Sequence, residues 1–529
     1  MAKTSLINIL KKAYRLAQLS DQPNTPGIDE IAEWHQTQQR KNWSRRSFLE
    51  TSFQAGIAIG GTSLLGGYAM AGPKPAFDTS AKVVIVGAGI AGLHAGHCLK
   101  KGGFPGKGIQ IYEASNRTGG RMFTSKLFGN DMTTELGGEF TDSDHLDILN
   151  LAKQFNITIL DKESDDQLIG DAFFFDGKHY TLNDVIIAFQ SCRKKIAADA
   201  KSLGKNYDTP QCESLDRTTL KAYLDSLQAD AWFKKMLEVA YVGEYGRSAE
   251  EQSALNLIDM IGTKKKGFKI FGDSDERYKL LGGNQQICDR LADGLKENIN
   301  LGHMLVAVKN KGQGFVLTFS VGASTKEVEA DYVVMTIPYT ILQDVQGIDQ
   351  LTGITPEKLK CIRELGYGLN GKMFLGLNSR PWRALQPGYQ GYIYTENIHT
   401  GWDNYHLQNQ NQGPSVFTVF LGGTPGTAVS PQKAASYVPE LAKAFPGFQS
   451  AFLPSQIAAM NWATNPLQKG SYACYKPGQW TDISGQEGAP IGNMLFAGEH
   501  CSVDFQGYMN GAAETGRLAA TQILTRIKK

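Results

Sequence analysis

The stretch AKVVIVGAGIAGLHAGHCLKKGG, residues 81–103, decides the fold of this chain. An apolar, β-branched run leads into Gly87-x-Gly89-x-x-Gly92, and a helical pattern follows. Such glycines are needed where a strand turns sharply, where the backbone approaches a pyrophosphate, and where the helix packs on the strand. The helix N-terminus then offers N–H groups to phosphates. The stretch therefore predicts a Rossmann-type nucleotide site.

A second strand, IQIYEA, follows and carries Glu113 near its end, where a carboxylate binds ribose hydroxyls. This acid disfavours a 2′-phosphate and favours FAD or NAD. A glycine-rich turn of another α/β protein is the alternative interpretation. On the intervening helix, His94, His97 and Cys98 have the spacing of neighbours on one face. No second cluster completes a metal shell, so we expect ordinary helix packing and no metal.

The first 71 residues have the pattern of an export signal. Arg45-Arg46 precede a charge-free apolar run at residues 55–71, which ends in the small-x-small site Ala69-x-Ala71. This pattern is typical of the bacterial twin-arginine type with a long polar n-region. A run of roughly 17 residues is short for a bilayer span, so cleavage is favoured over a membrane tether or a disordered tail. We expect the twin-arginine export machinery as a partner and a periplasmic or secreted protein.

The composition of the remaining 458 residues excludes several function classes. Residues 1–71 hold eight Lys or Arg and five Asp or Glu, so the net charge of +2 falls to about −1 without them. A near-neutral chain lacks the basic surface that nucleic acid requires. Seven cysteines without a C-x-x-C motif argue against a disulfide framework and a zinc site. The length suits two domains, and a homodimer is compatible with the sequence.

After Glu113 the chain continues ASNRTGGRMFTS, and Gly119-Gly120-Arg121 resembles the FAD-binding signature of the flavin amine oxidases. That family includes monoamine, polyamine and L-amino acid oxidases. The segments ELGGEF (135–140), LLGGNQQICDRL (280–291) and VVMTIP (333–338) match in the same order, as does the C-terminal block. The resemblance covers roughly the whole chain after residue 71.

The resemblance implies an α+β fold, in which a Rossmann-type FAD-binding core carries a substrate domain of helices and a sheet. The expected FAD-binding domain is discontinuous, with residues 80–140, 275–339 and 470–529, and the substrate domain comprises 141–274 and 340–469. Local patterns agree with this division. LKAYLDSLQADAWFKKMLEVAY has apolar residues at helical spacing, whereas KMFLGL, YIYTE and SVFTVFLGG are short aromatic or β-branched runs.

The resemblance also assigns residues to FAD. The position at which mitochondrial monoamine oxidases bond the flavin through cysteine is Ser471, in GSYACY, so FAD should be noncovalent unless Cys474 substitutes. A helix that begins close to Gly507 should place its positive end near the flavin's pyrimidine edge. The expected cofactor-binding residues are Gly87, Gly89, Ile90, Ala91, Gly92, Glu113, Ala114, Arg121, Gly137, Gly138, Glu139, Leu305, Gly498, Glu499, Gly507, Tyr508 and Met509.

Three residues carry the expected chemistry by the same resemblance. Tyr472 and Tyr508 match the two tyrosines that flank the substrate amine, where their ring faces favour an amine nitrogen. Lys372 matches the lysine that hydrogen-bonds flavin N5 through water, with a solvent-facing strand lysine as the alternative. The expected substrate pocket contains Phe123, Phe140 and Trp462.

The implied reaction is oxidative deamination of a primary amine or an L-amino acid. The imine hydrolyses to a carbonyl compound and ammonia, and O2 is reduced to H2O2. Phe123 stands where many L-amino acid oxidases have a carboxylate-binding arginine, which favours an amine slightly. Glu139 is expected to contact either the cofactor loop or the second amino group of a diamine. The alternatives are an L-amino acid oxidase with another carboxylate site, a flavin dehydrogenase or desaturase with another electron acceptor, and a noncatalytic flavoprotein.

Overall fold

The computed structural model describes residues 80–128, 131–263, 270 and 274–527. The predicted export signal at residues 1–71 lies outside these described residues. None of the helices in the described ranges is long and apolar enough to cross a membrane.

The described residues form an α+β fold, as the sequence predicts. The strands are β1 Val83–Val86, β2 Ile109–Tyr112, β3 Thr124–Ser125, β4 Thr134–Glu135, β5 Ile159–Asp161, β6 Ile169–Phe175, β7 Lys178–Tyr180, β8 Tyr278–Leu280, β9 Ile299–Asn300, β10 Met304–Lys311, β11 Gly314–Val321, β12 Ser324–Ala330, β13 Tyr332–Met335, β14 Gly371–Leu377, β15 Tyr389–Thr395, β16 His399–Asp403, β17 Ser415–Leu421, β18 Phe452–Asn461 and β19 Met494–Phe496. The α-helices are α1 Ile90–Lys101, α2 Leu146–Gln154, α3 Leu182–Ser202, α4 Pro210–Arg217, α5 Leu220–Ser226, α6 Ala231–Tyr245, α7 Leu255–Ile258, α8 Gln285–Asp293, α9 Tyr339–Leu342, α10 Pro356–Glu364, α11 Gly423–Thr427, α12 Ala434–Ala444, α13 Phe448–Ala451, α14 Gln479–Asp482 and α15 Met509–Arg526.

A five-stranded parallel sheet in the order β19-β13-β1-β2-β9 forms the nucleotide-binding core. Its strands are short and almost entirely buried, as is typical of a parallel sheet covered on both faces. Helix α1 packs on this sheet through Gly92, where a Cβ atom would lie 2.0 Å from the carbonyl oxygen of Gly87. Only glycine therefore allows the helix to begin this close to the strand turn.

A second sheet has seven strands in the order β18-β14-β17-β16-β15-β6-β7. The runs KMFLGL, YIYTE and SVFTVFLGG lie in β14, β15 and β17, as predicted. Strand β14 is central and every one of its seven residues is buried. A side chain on β14 therefore has no solvent-facing side to occupy.

The parallel sheet takes its strands from residues 83–112, 299–335 and 494–496, and the seven-stranded sheet takes its strands from residues 169–180 and 371–461. Residues 141–274 were expected in the substrate domain, yet the buried side chains of α2 join the core of the parallel sheet. Asp147 on α2 also forms a bidentate ion pair with Arg517 on α15, at 2.6 and 2.8 Å. An amphipathic nine-residue helix packs against whichever apolar surface is adjacent, and here that surface belongs to the nucleotide-binding core.

Candidate functional site

One cavity of about 370 Å³ extends from the glycine loop of the parallel sheet to the inner strands β14, β16 and β17 of the seven-stranded sheet. Its first part is lined by residues that follow the carboxyl ends of four parallel strands, namely Gly87, Glu113, Thr336 and Gly498. The carboxyl ends of such strands are where α/β sheets bind nucleotides.

The cavity lining includes most of the residues that the resemblance assigned. Among the expected residues it contains Gly87, Gly89, Ile90, Ala91, Glu113, Ala114, Arg121, Gly137, Gly138, Glu139, Phe140, Leu305, Lys372, Trp462, Tyr472, Gly498, Glu499, Gly507, Tyr508 and Met509. Residues from both sheets therefore line one cavity.

Two expected residues, Gly92 and Phe123, lie outside this lining. Gly92 serves the contact between helix and strand described above. Phe123 precedes β3, and its ring is covered by the guanidinium of Arg117, whose Cζ lies 3.9 Å from the ring centroid. Phe123 was expected in the substrate pocket; the structure places it next to the lining residue Arg117 and outside the lining itself.

The glycine loop and Glu113 form a cradle suited to a dinucleotide. Gly87 has φ of +105°, and a Cβ there would lie 2.4 Å from Thr336 Oγ1. Glu113 Oε2 accepts a hydrogen bond from the backbone N–H of Ala88 at 2.8 Å, so the acid and the loop are fixed together. Helix α1 has no side-chain cap at its N-terminus, which leaves its first N–H groups available to phosphate oxygens.

An ion pair joins the N-terminal and C-terminal parts of the cavity wall. Arg121 Nη1 donates to Glu499 Oε1 at 2.9 Å and to the backbone carbonyl of Ser471. Glu499 Oε2 accepts from the backbone N–H groups of Gly507 at 3.0 Å and Ala473 at 3.3 Å. This single carboxylate therefore holds three separate chain segments in register around the cavity.

Lys372 lies on β14 and is buried, which excludes a solvent-facing strand lysine. Its Nζ donates to the carbonyl of Gly137 at 2.8 Å, to that of Glu135 at 3.2 Å, and to Glu139 Oε2 at 3.3 Å. Burial is the main cause that lowers the pKa of Lys372, while the charge of Glu139 raises it. The ammonium group therefore reaches the cavity wall with its charge partly compensated.

Tyr472 and Tyr508 both face the cavity and sit close to Gly507. Tyr472 donates to the carbonyl of Gly243 at 3.3 Å, and Tyr508 donates to Glu244 Oε1 at 3.2 Å. Burial raises the pKa of both phenols well above the usual value. They remain neutral at physiological pH and present apolar ring surface with a fixed hydroxyl.

Three carboxyl groups near the tyrosines were not found from the sequence: Asp142, Glu244 and Glu276. Asp142 Oδ1 accepts from the backbone N–H of Glu276 at 2.8 Å, which joins two segments far apart in the chain. Burial raises the pKa of Asp142 to about 6 and that of Glu276 to about 8, and it also raises that of Glu244. We call these three residues the carboxyl group cluster of the cavity.

The residues that line the cavity indicate whether a covalent bond to the flavin is available. Ser471 lines the cavity and donates to Asn370 Oδ1 at 2.6 Å. Cys474 is buried outside the lining, where its Sγ lies 3.8 Å from Asn256 Nδ2. Among the lining residues that the structure describes there is no cysteine. Cys474 therefore does not substitute for the thiol that Ser471 lacks.

The histidines of α1 have structural contacts. His94 is buried with Nδ1 2.8 Å from the carbonyl of Ala513 on α15, and His97 Nε2 lies 3.3 Å from Gln154 Nε2. Burial lowers the pKa of both rings. These contacts fit the expectation of helix packing at this position.

Comparisons with known proteins show similarity to flavin-dependent enzymes. A family model described as flavin containing amine oxidoreductase matches residues 90–524. The flavin-containing amine oxidase A of Sus scrofa is 24% identical over 468 residues, which cover 84% of this chain and 85% of that protein. An L-amino acid dehydrogenase of Synechocystis is 24% identical over 473 residues, covering 84% and 95%. The structure of cyclohexylamine oxidase from Brevibacterium oxydans superposes with a TM-score of 0.72 at 20% identity, covering 85% of this chain and 100% of that one.

Proposed function

We propose that this chain, which belongs to the flavin containing amine oxidoreductase family, oxidises a primary amine that carries a second, cationic nitrogen. The family makes it an oxidoreductase that acts on amines, with FAD as its cofactor. FAD is held without a covalent bond, since Ser471 replaces the bonding cysteine. The observation that carries the choice of substrate is the carboxyl group cluster.

The cavity residues fit FAD. The glycine loop and the uncapped helix α1 suit the pyrophosphate, Glu113 suits the ribose, and Arg121 with Glu499 closes the opposite wall. When bound, FAD supplies the two-electron acceptor for oxidation of the C–N bond. Helix α15 also lacks a side-chain cap at its N-terminus, so its positive end stays available to an electron-rich group in the cavity.

The reacting nitrogen must lose its charge before the C–N bond is oxidised, because a free amine with a pKa of about 10 is mostly protonated in water. The aromatic lining favours the neutral amine, because ring surfaces replace the water that stabilises an ammonium group. Tyr472 and Tyr508 contribute ring faces, and Trp402, Phe420 and Trp462 complete the apolar wall.

The charges of the lining decide which group the rest of the substrate carries. Six carboxyl groups line the cavity. Glu139 is paired with two lysines and Glu499 with Arg121, while Glu113 is held by two backbone amides. The other three form the carboxyl group cluster. Asp142 and Glu244 accept hydrogen bonds from uncharged groups only in the described contacts. No described Lys or Arg lies within 4.0 Å of the cluster. The histidine beside Asp142, His145, has its pKa lowered to about 3 by burial and is neutral.

A cationic nitrogen favours the ionised form of these carboxyl groups and pairs with them, whereas a carboxylate finds no cation there and would raise their pKa further. The described lysine and arginines of the lining, Lys372, Arg117 and Arg121, are already bound to groups of the chain. An amine with a distant ammonium group is therefore favoured over an L-amino acid with a neutral side chain. An L-amino acid with a cationic side chain is the second candidate, because one relative is an L-amino acid dehydrogenase.

A substrate panel tests this proposal. The purified FAD-loaded protein is assayed with α,ω-diamines of increasing length, n-alkylamines with the same number of heavy atoms, and L-lysine beside L-norleucine. One charge-assisted contact contributes about 1.5–3 kcal/mol, so we expect the best diamine to exceed its matched alkylamine by roughly 10- to 100-fold in kcat/KM. Equal turnover of diamines and alkylamines would show that the carboxyl group cluster does not contribute to the choice of substrate. Preference for L-lysine over every diamine would establish the second candidate.

The electron acceptor is proposed to be O2, with H2O2 as the product. Lys372 supports this choice, because a cation at the cavity wall stabilises negative charge that develops on reduced oxygen species. Ammonia and peroxide are measured in the same reaction, and equal amounts are expected. Ammonia formed only when a dye or quinone is added would instead establish a dehydrogenase.

We also propose that the chain is exported by the twin-arginine route. Arg45-Arg46, the apolar run at residues 55–71 and the Ala69-x-Ala71 site support this. Replacing both arginines by lysine should retain the flavoprotein in the cytoplasm of an expressing bacterium. Unchanged fractionation of the double variant would contradict export by this route.

A further inference from the structure

A second buried lysine, Lys279, lies behind the cavity wall. It is on β8, is only 5% exposed, and is not part of the cavity lining. Its Nζ donates to Glu139 Oε1 at 2.9 Å and to the backbone carbonyl of Asn404. A buried ammonium group requires such partners, so its location alone shows only that it is satisfied.

Glu139 is shared by two ammonium groups. One carboxylate oxygen faces Lys279, and the other accepts from Lys372 at 3.3 Å and from Asn404 Nδ2 at 3.2 Å. The carboxylate is thereby held from three sides by groups on β8, β14 and the loop after β16. The orientation of the Glu139 carboxylate therefore depends on its contact with Lys279, and so does the position of the Lys372 ammonium group that Glu139 attracts.

We propose that Lys279 is a positioning residue of the active site that holds the carboxylate of Glu139 in place. Because Glu139 is shared between two lysines, it neutralises only part of the positive charge that Lys372 carries at the cavity wall. This inference rests on the proposed function only through the place of Lys372 in the active site. Lys279 itself does not line the cavity and acts on it through Glu139, which does.

The balance of charge shows why two lysines act differently from one. Two ammonium groups and the Glu139 carboxylate leave one positive charge over. The nearby carboxyl of Glu135 has its pKa raised to about 7 by burial, so it cancels that charge only partly near neutral pH. Without Lys279, Glu139 would pair with Lys372 alone, and the positive charge at the cavity wall would be cancelled.

The titration of Lys372 reports this balance. The charged groups that act on it are Glu139 and Glu135, which raise its pKa, and Lys279, which lowers it. Removing Lys279 takes away the positive charge that lowers the pKa of Lys372, and Glu139 then pairs with Lys372 alone. The pKa of Lys372 therefore rises in a Lys279→Met variant, and a like charge at this range is worth about one pH unit or more.

The chain offers a matched control in Lys358. This lysine is 1% exposed, donates to Tyr339 Oη and to the carbonyls of Gln486 and Glu487, and is absent from the cavity lining. Lys358→Met removes an equally buried ammonium group without changing the charge near Lys372. Any effect shared by the two variants is therefore the cost of losing a buried lysine.

The test compares Lys279→Met, Lys279→Arg and Lys358→Met as full FAD-loaded proteins. Absorption of bound FAD is titrated with pH in the absence of substrate, and thermal midpoints are recorded. We expect both Met variants to lose thermal stability. Only Lys279→Met should change the pH at which titration of Lys372 alters the absorption of bound FAD, and that midpoint should rise by about one pH unit. Lys279→Arg keeps the cation and should retain the wild-type midpoint.

Identical flavin titrations for Lys279→Met and Lys358→Met would overturn the positioning role. If Lys279→Met does not fold, the pair Lys279→Arg and Glu139→Gln decides the matter: the first should titrate like the wild type, and the second should shift the midpoint downward because Lys372 loses its acid partner. An unshifted midpoint in Glu139→Gln would equally refute the proposal. Since no substrate is present, these outcomes do not depend on whether the substrate assignment is correct.

Discussion

Replacing Glu276 by glutamine tests the carboxyl group cluster through the stability of the protein. Burial raises the pKa of Glu276 from 4.5 to about 8. Between these two pH values the unfolded chain has released the proton while the folded chain retains it, so rising pH favours the unfolded state. The folded protein therefore loses stability from about pH 4.5 to about pH 8 on account of this one group. Glu276→Gln removes that loss.

The magnitude follows from the shift. At about 1.36 kcal/mol per pKa unit, a rise from 4.5 to about 8 sets an upper bound of ~5 kcal/mol. Glu276 is only half-buried, because it faces the cavity, so solvent screening reduces the effect to roughly 2 kcal/mol. We expect Glu276→Gln to be more stable than the wild type by this amount near pH 8 and equally stable near pH 4.5.

The assay is denaturant unfolding of both proteins across this pH range, with Glu327→Gln as control. Glu327 has 60% of its side chain exposed and pairs with Lys309 on the separate antiparallel sheet that β10, β11 and β12 form, so its loss should leave the pH dependence unchanged. The same Glu276→Gln protein should lose about 10-fold in its preference for diamines over alkylamines. Stability curves of Glu276→Gln and wild type that run parallel from pH 4.5 to 8 would show that Glu276 is not held protonated in the cavity.

Three further changes probe the rest of the site. Glu499→Gln weakens the pair with Arg121 and should raise the dissociation constant of FAD roughly 10-fold or more, measured by flavin fluorescence titration. Gly87→Ala forces a side chain into a backbone with φ of +105° and against Thr336, so the purified protein should be colourless; a yellow variant with normal FAD content would contradict the close approach. Tyr508→Phe removes the hydrogen bond to the carboxyl group cluster, and kcat/KM should fall about 2- to 10-fold for a diamine but less for an alkylamine.

The nucleotide-binding half of the site was predictable from the sequence because each of its requirements acts over a short stretch of chain. Gly87 must adopt a positive φ, and Glu113 follows the next strand, where it binds the amide of Ala88. Residues that meet such local requirements stand at fixed spacing, and the spacing is visible in the sequence. Gly92 shows the remaining ambiguity, because helix packing and cofactor contact require the same residue type.

The substrate half was less predictable because it is assembled from distant segments. Asp142, Glu244 and Glu276 come from three separate parts of the chain and are joined by contacts such as the bridge between Thr141 and Tyr278. Period-two alternation could not decide between the two faces of β14 for Lys372, since strand order alone makes β14 central. The ring of Phe123 stacks on Arg117, a contact that no spacing rule indicates.

The cavity divides its carboxylates between folding and binding. Glu113, Glu139 and Glu499 have partners within the chain, so the cost of their burial is offset when the protein folds. No described Lys or Arg lies within 4.0 Å of the carboxyl group cluster, although the charge of Lys162 acts on Glu276 from further away, and burial raises the pKa of Asp142 to about 6 and that of Glu276 to about 8. A cationic nitrogen that enters the cavity lets these carboxyls ionise and supplies the missing partner, whereas an uncharged chain of equal size fills the volume and leaves them protonated. Burial of these carboxyl groups therefore causes both the preference for a substrate with a second cation and the lower stability of the protein without substrate. Replacing the carboxyl groups by amides should reduce the preference and the loss of stability together.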